Sequence, residues 1–298
     1  MRISAAVDLS QESLRALRWA LDLRDRLRDR DQPVDLRVIS IASPTWYSTD
    51  RSQKVTDDLS VRSRWTREIR DAIEDVGDVD DVPIDLDEGS PARLLARACP
   101  PSHTDWLVAG SSRHGFLSRL LQGSTAHRIA RQAPCNVALV HPDHHRLLPG
   151  HSFAVGVDFY PGSEAAMMAA ARLTDLTDGS LHLIHALTDE PTSSLSAGLI
   201  NYLSPTDITH LSASARASLE ALIHEVRRRY DLPIYTTAVH TGLPYEVLRD
   251  YCHAAHIDSM ALGRVPRTKA SEVILGSTTR ALVRSMPTTL LLAAFHDH

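Results

Sequence analysis

Apolar and polar positions run through the same order of blocks twice along this chain. Residues 3–8 are a short apolar run ending in Asp8, and residues 154–158 repeat it, ending in Asp158. Each predicts a strand that stops at an aspartate. Leu14, Leu17 and Leu21 then recur at helical spacing, with Arg15, Arg18, Asp22 and Asp25 on the remaining surface. Ser13, Ala16, Ala20 and Leu23 of that helix correspond to Ser163, Ala166, Ala170 and Leu173 of its copy. Residues 36–41 and 181–186 are apolar runs of the kind found in buried parallel strands.

Polar stretches follow at 45–58 and 188–207, and the spacing then predicts helices over 60–76 and 209–230. Third strands begin at 81–84 and 231–234. Gly89 with Pro91, and Gly242 with Pro244, turn the chain into the next helices, because glycine permits the turn and proline suits an early helical position. Residues 106–110 and 260–263 are fourth strands, and 136–140 and 288–292 close each half. Strands alternating with helices mean βαβ units, a parallel sheet and right-handed crossovers.

The sharpest part of the repeat joins residues 108–140 to 261–293. Gly110 matches Gly263, the run Gly123, Ser124, Thr125 matches Gly276, Ser277, Thr278, and Pro134 matches Pro287. A repeat of half the chain length implies two domains of one fold, here 1–142 and 152–298 with 143–151 as linker. Each Gly-Ser-Thr turn opens a helix. There, free backbone N–H groups either hold an anion or are capped by the hydroxyls themselves.

Composition narrows the function. The 298 residues carry a net charge of −5, which gives no basic footprint for nucleic acid. No apolar stretch is long enough for a membrane span, and the N-terminus reads as a strand rather than a signal peptide. Cys99, Cys135 and Cys252 are scattered without metal spacing, which fits a reducing, cytoplasmic setting. His182 and His185 flank a strand, and His253 and His256 lie three apart on a predicted helix, but no acidic or cysteine partner completes a metal site. There is no P-loop, no dinucleotide fingerprint after the first strand and no nucleophile elbow.

A first strand ending in Asp, with a late glycine segment running through Gly-Ser into a helix and a final apolar strand, resembles the universal stress protein family, twice over nearly the whole chain. The resemblance implies two Rossmann-like domains of the adenine nucleotide alpha hydrolase-like kind. Each is expected to be a five-stranded parallel sheet of order 3-2-1-4-5 with helices on both faces. Some family members bind ATP at the carboxyl ends of strands 1 and 4; others do not.

Carried over residue by residue, Asp8 and Asp158 would lie by the adenosine and ribose, and Ile41 and Ala186 against the adenine. Gly110 and Gly263 match the first motif glycine. Gly123, Ser124 and Thr125, with Gly276, Ser277 and Thr278, would hold phosphates. The middle motif glycine is missing: Arg113 and Pro266 stand there, each nine residues before its Gly-Ser. Arg113 either blocks the loop or pairs with a phosphate. Arg264 and Arg267, like Arg113, are read as solvated loop charges, with a phosphate contact as the alternative.

These readings lead to a tandem universal stress protein that binds ATP, with Mg2+, or a related adenine nucleotide in one or both domains. It would act as sensor or regulator, with at most slow hydrolysis. The alternative is a nucleotide-free tandem module acting through an unknown protein partner. The resemblance also implies that the halves pair as a fused pseudo-dimer through their final strands, with a homodimer as a further possibility.

Overall fold

The computed structural model describes residues 1–42, 58–89, 91–100, 102–111, 125–143, 146–188, 205–266 and 273–294. The chain divides into two compact units after Leu147.

In the first unit β1 (Arg2–Ala6) leads into α1 (Gln11–Asp29), then β2 (Asp35–Ala42), α2 (Asp58–Glu74), β3 (Ile84–Glu88), α3 (Pro91–Ala98), β4 (Trp106–Gly110), α4 (Thr125–Gln132) and β5 (Asn136–Val140). β1 sits between β2 and β4, with β3 outside β2 and β5 outside β4, all parallel. The expected order 3-2-1-4-5 is therefore seen directly in the pairing.

Consecutive residues of β1 are buried: Ile3 and Ser4 at 1%, Ala5 at 0% exposure. Neighbours on a strand point to opposite faces, so both faces of this sheet are covered. α1 begins because the Ser10 hydroxyl accepts the Ser13 N–H as an N-cap. It ends beyond Arg26 and Arg28, which suit the negative end of the helix dipole. Its stripe of Leu17, Trp19, Leu23 and Leu27 is fully buried.

The second unit repeats the plan: β6 (Ser152–Gly156), α5 (Pro161–Thr177), β7 (Ser180–Leu187), α6 (Pro205–Arg227), β8 (Ile234–Thr241), α7 (Pro244–Ala254), β9 (Ser259–Pro266), β10 (Val273–Ile274), α8 (Ser277–Ser285) and β11 (Thr289–Ala294). β6 pairs with β7 and β9, β8 pairs with β7, and β11 with β9, again all parallel. One element was not expected: β10 pairs antiparallel with the end of β9, Val273 opposite Pro266 and Ile274 opposite Val265.

Of the expected linker, Leu147 is buried and its carbonyl accepts from Arg26 Nε at 2.7 Å. His151 is also buried, with Nε2 at 2.9 Å from Ser259 Oγ and its ring against Phe153. Residues 148–150 between them are exposed.

Candidate functional site

Both units turn sharply after the first strand, and the turn is built the same way. Asp158 Oδ1 accepts the Tyr160 N–H at 3.0 Å, while the Asp158 N–H donates to Ser163 Oγ at 3.4 Å. In the first unit Asp8 Oδ1 accepts the Ser10 N–H at 3.1 Å, and the Asp8 N–H donates to Ser13 Oγ at 3.2 Å. Each is an Asx turn, which uses one carboxylate oxygen and leaves Oδ2 with no hydrogen bond to a described residue. The residue after each aspartate, Leu9 or Phe159, sits at φ 61°. That left-handed conformation costs a non-glycine residue about 1 kcal/mol. The sequence placed both aspartates at the strand ends but did not reveal this strain.

In the second unit the turn forms one wall of a cleft of about 150 Å³ at the carboxyl ends of β6, β7 and β9. Asp158, Tyr160, His185, Ala186, Gly263 and Thr278 line it. Of the expected residues of this half, Asp158, Ala186, Gly263 and Thr278 line the cleft, whereas Gly276 and Ser277 do not; open parallel sheets leave such a crevice beyond their central strands. In the sequence His185 was placed only at a strand, with His182, and weighed as a metal ligand. It donates Nδ1–H to the Val157 carbonyl at 2.8 Å, and its ring lies 4.7 Å from that of Phe159. The bond leaves Nε2 as an acceptor. Its place one residue before Ala186 was the available signal.

The motif glycines divide into two kinds. A Cβ on Gly263 would stand 2.2 Å from the Gly162 carbonyl carbon, and one on Gly110 would stand 2.4 Å from the Glu12 carbonyl carbon and oxygen. Both therefore let the first turn of a helix press against the end of a strand, a packing need that holds with or without ligand. Gly276 differs. It caps α8 at φ −56°, is exposed, and a Cβ there would meet nothing within 4 Å. Packing does not require a glycine at 276, and its place as N-cap is one that glycine commonly fills.

Ser277 is exposed and Thr278 half-buried at the start of α8. Ala186 is half-buried at the cleft and Ile41 takes the equivalent strand position in the first unit, also half-buried. Arg113, Gly123, Ser124 and the side chain of Thr125 lie outside the described residues, as does Arg267. Two readings of the second-half loop need correction. The backbone at Pro266 is the end of a strand paired with β10, not an open loop. Arg264 is 1% exposed on β9, so it is a buried residue rather than a solvated loop charge. Alternating strand positions next to a glycine put it inside the fold. Gly89 and Gly242 stand at φ 134° and 141°, as turn glycines do.

Among the described residues no three His, Cys, Asp or Glu side chains converge as a metal site, and no described helix is long and apolar enough to cross a membrane.

Two copies of a doubly wound parallel sheet, each with an aspartate turn after its first strand, define a duplicated α/β protein of Rossmann-like class. A model of the universal stress protein family matches residues 1–141 and 151–293, and the chain belongs to that family. Universal stress proteins of Mycobacterium tuberculosis and Mycobacterium bovis are 27% identical over 196 residues, covering 64% of this chain. The match spans 62% of those relatives' length, less than two thirds. A universal stress protein structure from Archaeoglobus fulgidus superposes with a TM-score of 0.67 at 16% identity, covering 99% of this chain and 98% of that one. A Pseudomonas aeruginosa protein described as functionally unknown gives 0.58 at 13% identity, covering 98% and 92%. These structural likenesses are likenesses of fold.

Proposed function

We propose that the protein binds ATP or a related adenine nucleotide at the second-unit cleft, and that occupancy rather than turnover is its output. The observation that carries this reading is the cleft itself, where Thr278 in the first turn of α8, behind the exposed capping glycine Gly276, meets an aspartate with a spare oxygen. The residues fit the group in kind. The amides opening α8 are donors for phosphate oxygens. Asp158 Oδ2 is an acceptor for ribose hydroxyls, and Ala186 offers an apolar surface to a base.

The cleft is smaller than the roughly 300–1,000 Å³ that enclose a drug-sized ligand. The nucleoside would therefore occupy the cleft and the phosphates would lie along the exposed start of α8. Mg2+ accompanying the nucleotide would be held chiefly by its phosphates. Binding would bias the chain toward one conformation, which is how ligand occupancy becomes a signal. The first unit shares the aspartate turn and the packing glycine, so it is a second place for the same ligand.

Calorimetric titration with ATP tests the proposal. Saturable binding is expected, and Ala186→Phe, which fills the slot, is expected to abolish it. Absence of saturable binding below millimolar ATP in the wild-type chain sinks it.

The β9–β10 pairing favours the second reading, a nucleotide-free module that works through protein contacts, because Val265 and Pro266 are strand-paired where an open phosphate loop would begin. The same titration separates the two.

A further inference from the structure

β3 and β8 hold the same outer place in their units but treat an open edge differently. Among the described strands β3 pairs with β2 alone and β8 with β7 alone. An outer strand presents a row of unpaired N–H and C=O groups, and charged side chains are the usual guard against pairing there. β3 is guarded: three of its five residues are Asp85, Asp87 and Glu88, and Arg62 Nη2 donates to the Leu86 carbonyl at 2.9 Å. β8 is eight residues long and contains no Asp, Glu, Lys, Arg or Pro. From Ile234 to Thr241 it is made chiefly of β-branched residues, the type that favours strands.

The backbone shows which groups of β8 are open. The Gly242 N–H donates to the Leu187 carbonyl of β7 at 2.8 Å. Successive residues of a parallel strand turn their backbone groups alternately to one side and the other. Ala238 and His240 therefore face β7, whereas Tyr235, Thr237, Val239 and Thr241 turn theirs outward, where no described residue bonds them. The two faces of the strand are already engaged. On one, Thr237 Oγ1 donates to Glu220 Oε1 at 2.6 Å and the Arg227 guanidinium lies 4.9 Å from the centre of the Tyr235 ring, both from α6. On the other, the His240 ring stands 5.8 Å from that of Tyr251 on α7. The edge is the open part.

We propose that β8 is a self-association edge, which pairs antiparallel with β8 of a second copy of this chain about a twofold axis through Ala238. The strand itself argues for that occupant. A twofold axis sets a strand against its own reversed copy, so an acidic strand such as β3 repels itself, whereas β8 brings no carboxylate, ammonium or guanidinium to the ladder. Outward groups pair with outward groups. The register that uses all four sets Tyr235 against Thr241 of the second copy and Thr237 against its Val239, with the reverse pairs given by symmetry. Between these, Ala238 meets Ala238 and Thr236 meets His240. A strand from another protein would have to match this length and neutrality; the second copy does so by construction.

Sedimentation velocity of the full chain across the micromolar range, with hydrogen exchange read at low and high concentration, tests the proposal. A reversible dimer is expected, with slower exchange of the Tyr235, Thr237, Val239 and Thr241 amides at the higher concentration. Val239→Pro removes one outward N–H on each side of the axis and is expected to raise the dissociation constant at least about tenfold. Ala238→Lys keeps every amide and sets two ammonium groups directly opposite each other, so it is expected to weaken the dimer as much, with unchanged circular dichroism. This second variant decides the matter where proline also disturbs the fold. A wild-type chain that stays monomeric, or a dimer that Ala238→Lys leaves as tight as the wild type, overturns the proposal.

Discussion

The Cβ that Gly263 lacks would stand 2.2 Å from the carbonyl carbon of Gly162. The end of β9 and the first turn of α5 are thus in backbone contact, and the same relation joins Gly110 to Glu12. Gly110→Ala and Gly263→Ala are expected to lower stability by about 2–3 kcal/mol each, the range of overpacked sites. Melting temperature would fall by roughly 5–10 °C, read by calorimetry. Unchanged melting of both variants would show that the strand ends yield freely, against the rigidity inferred here.

Gly276 is expected to behave oppositely. Gly276→Asp introduces a good N-cap and a carboxylate at the positive end of α8. Stability should hold or rise by up to about 1 kcal/mol, while ATP affinity falls at least about tenfold through charge repulsion and lost approach. Denaturant melts and an ATP titration on the same preparation check both halves. A variant that binds ATP as the wild type does removes Gly276 from the site.

Much of the architecture was legible in the sequence because buried parallel strands and amphipathic helices advertise themselves locally. The runs at 36–41 and 181–186 became β2 and β7, and Gly276 with Ser277 opened a helix as the hydroxyl-rich turn implied. What was not legible depends on contacts between distant segments. Gly110 and Gly263 looked like ligand glycines, and only the approach of a helix start shows their packing role. β10 has two residues, too few for a period, and exists through pairing with Val265 and Pro266. Arg264 reads as a loop charge until β9 is seen to run through it. The hydrogen-bonded trio Ser4, Arg37 and Thr104 draws on three separate segments.

Leu9 and Phe159 share φ 61° but not their surroundings. Asparagine tolerates that conformation, so Leu9→Asn is expected to raise stability by about 0.5–1 kcal/mol. Phe159→Asn relieves the same strain and loses the ring contact with His185, so no net gain is expected there. Urea melts of the two variants should differ in sign or nearly so. Equal changes would mean that the ring contact contributes nothing.

His182 gives the second unit a pH dependence. Burial lowers its pKa below the ordinary 6.5, with Nδ1 at 3.0 Å from the Tyr251 hydroxyl and Nε2 at 3.2 Å from Ser180 Oγ. The unfolded chain then binds this proton more readily than the folded one. The stability contribution is fully present above 6.5 and is lost as pH falls through that value toward the lower folded pKa. His182→Gln is expected to flatten the fall in melting temperature between about pH 7 and pH 5. An identical slope in wild type and variant would assign the acid sensitivity elsewhere.

Nucleotide binding itself is tested most directly by a crystal structure of the full chain grown with a non-hydrolysable ATP analogue at millimolar concentration. Phosphate density beside the amides of Ser277 and Thr278, with the base against Ala186 and the ribose at Asp158, is the expected result. A second unit whose α8 start carries no phosphate density and whose cleft stays free of nucleotide at that concentration would contradict it.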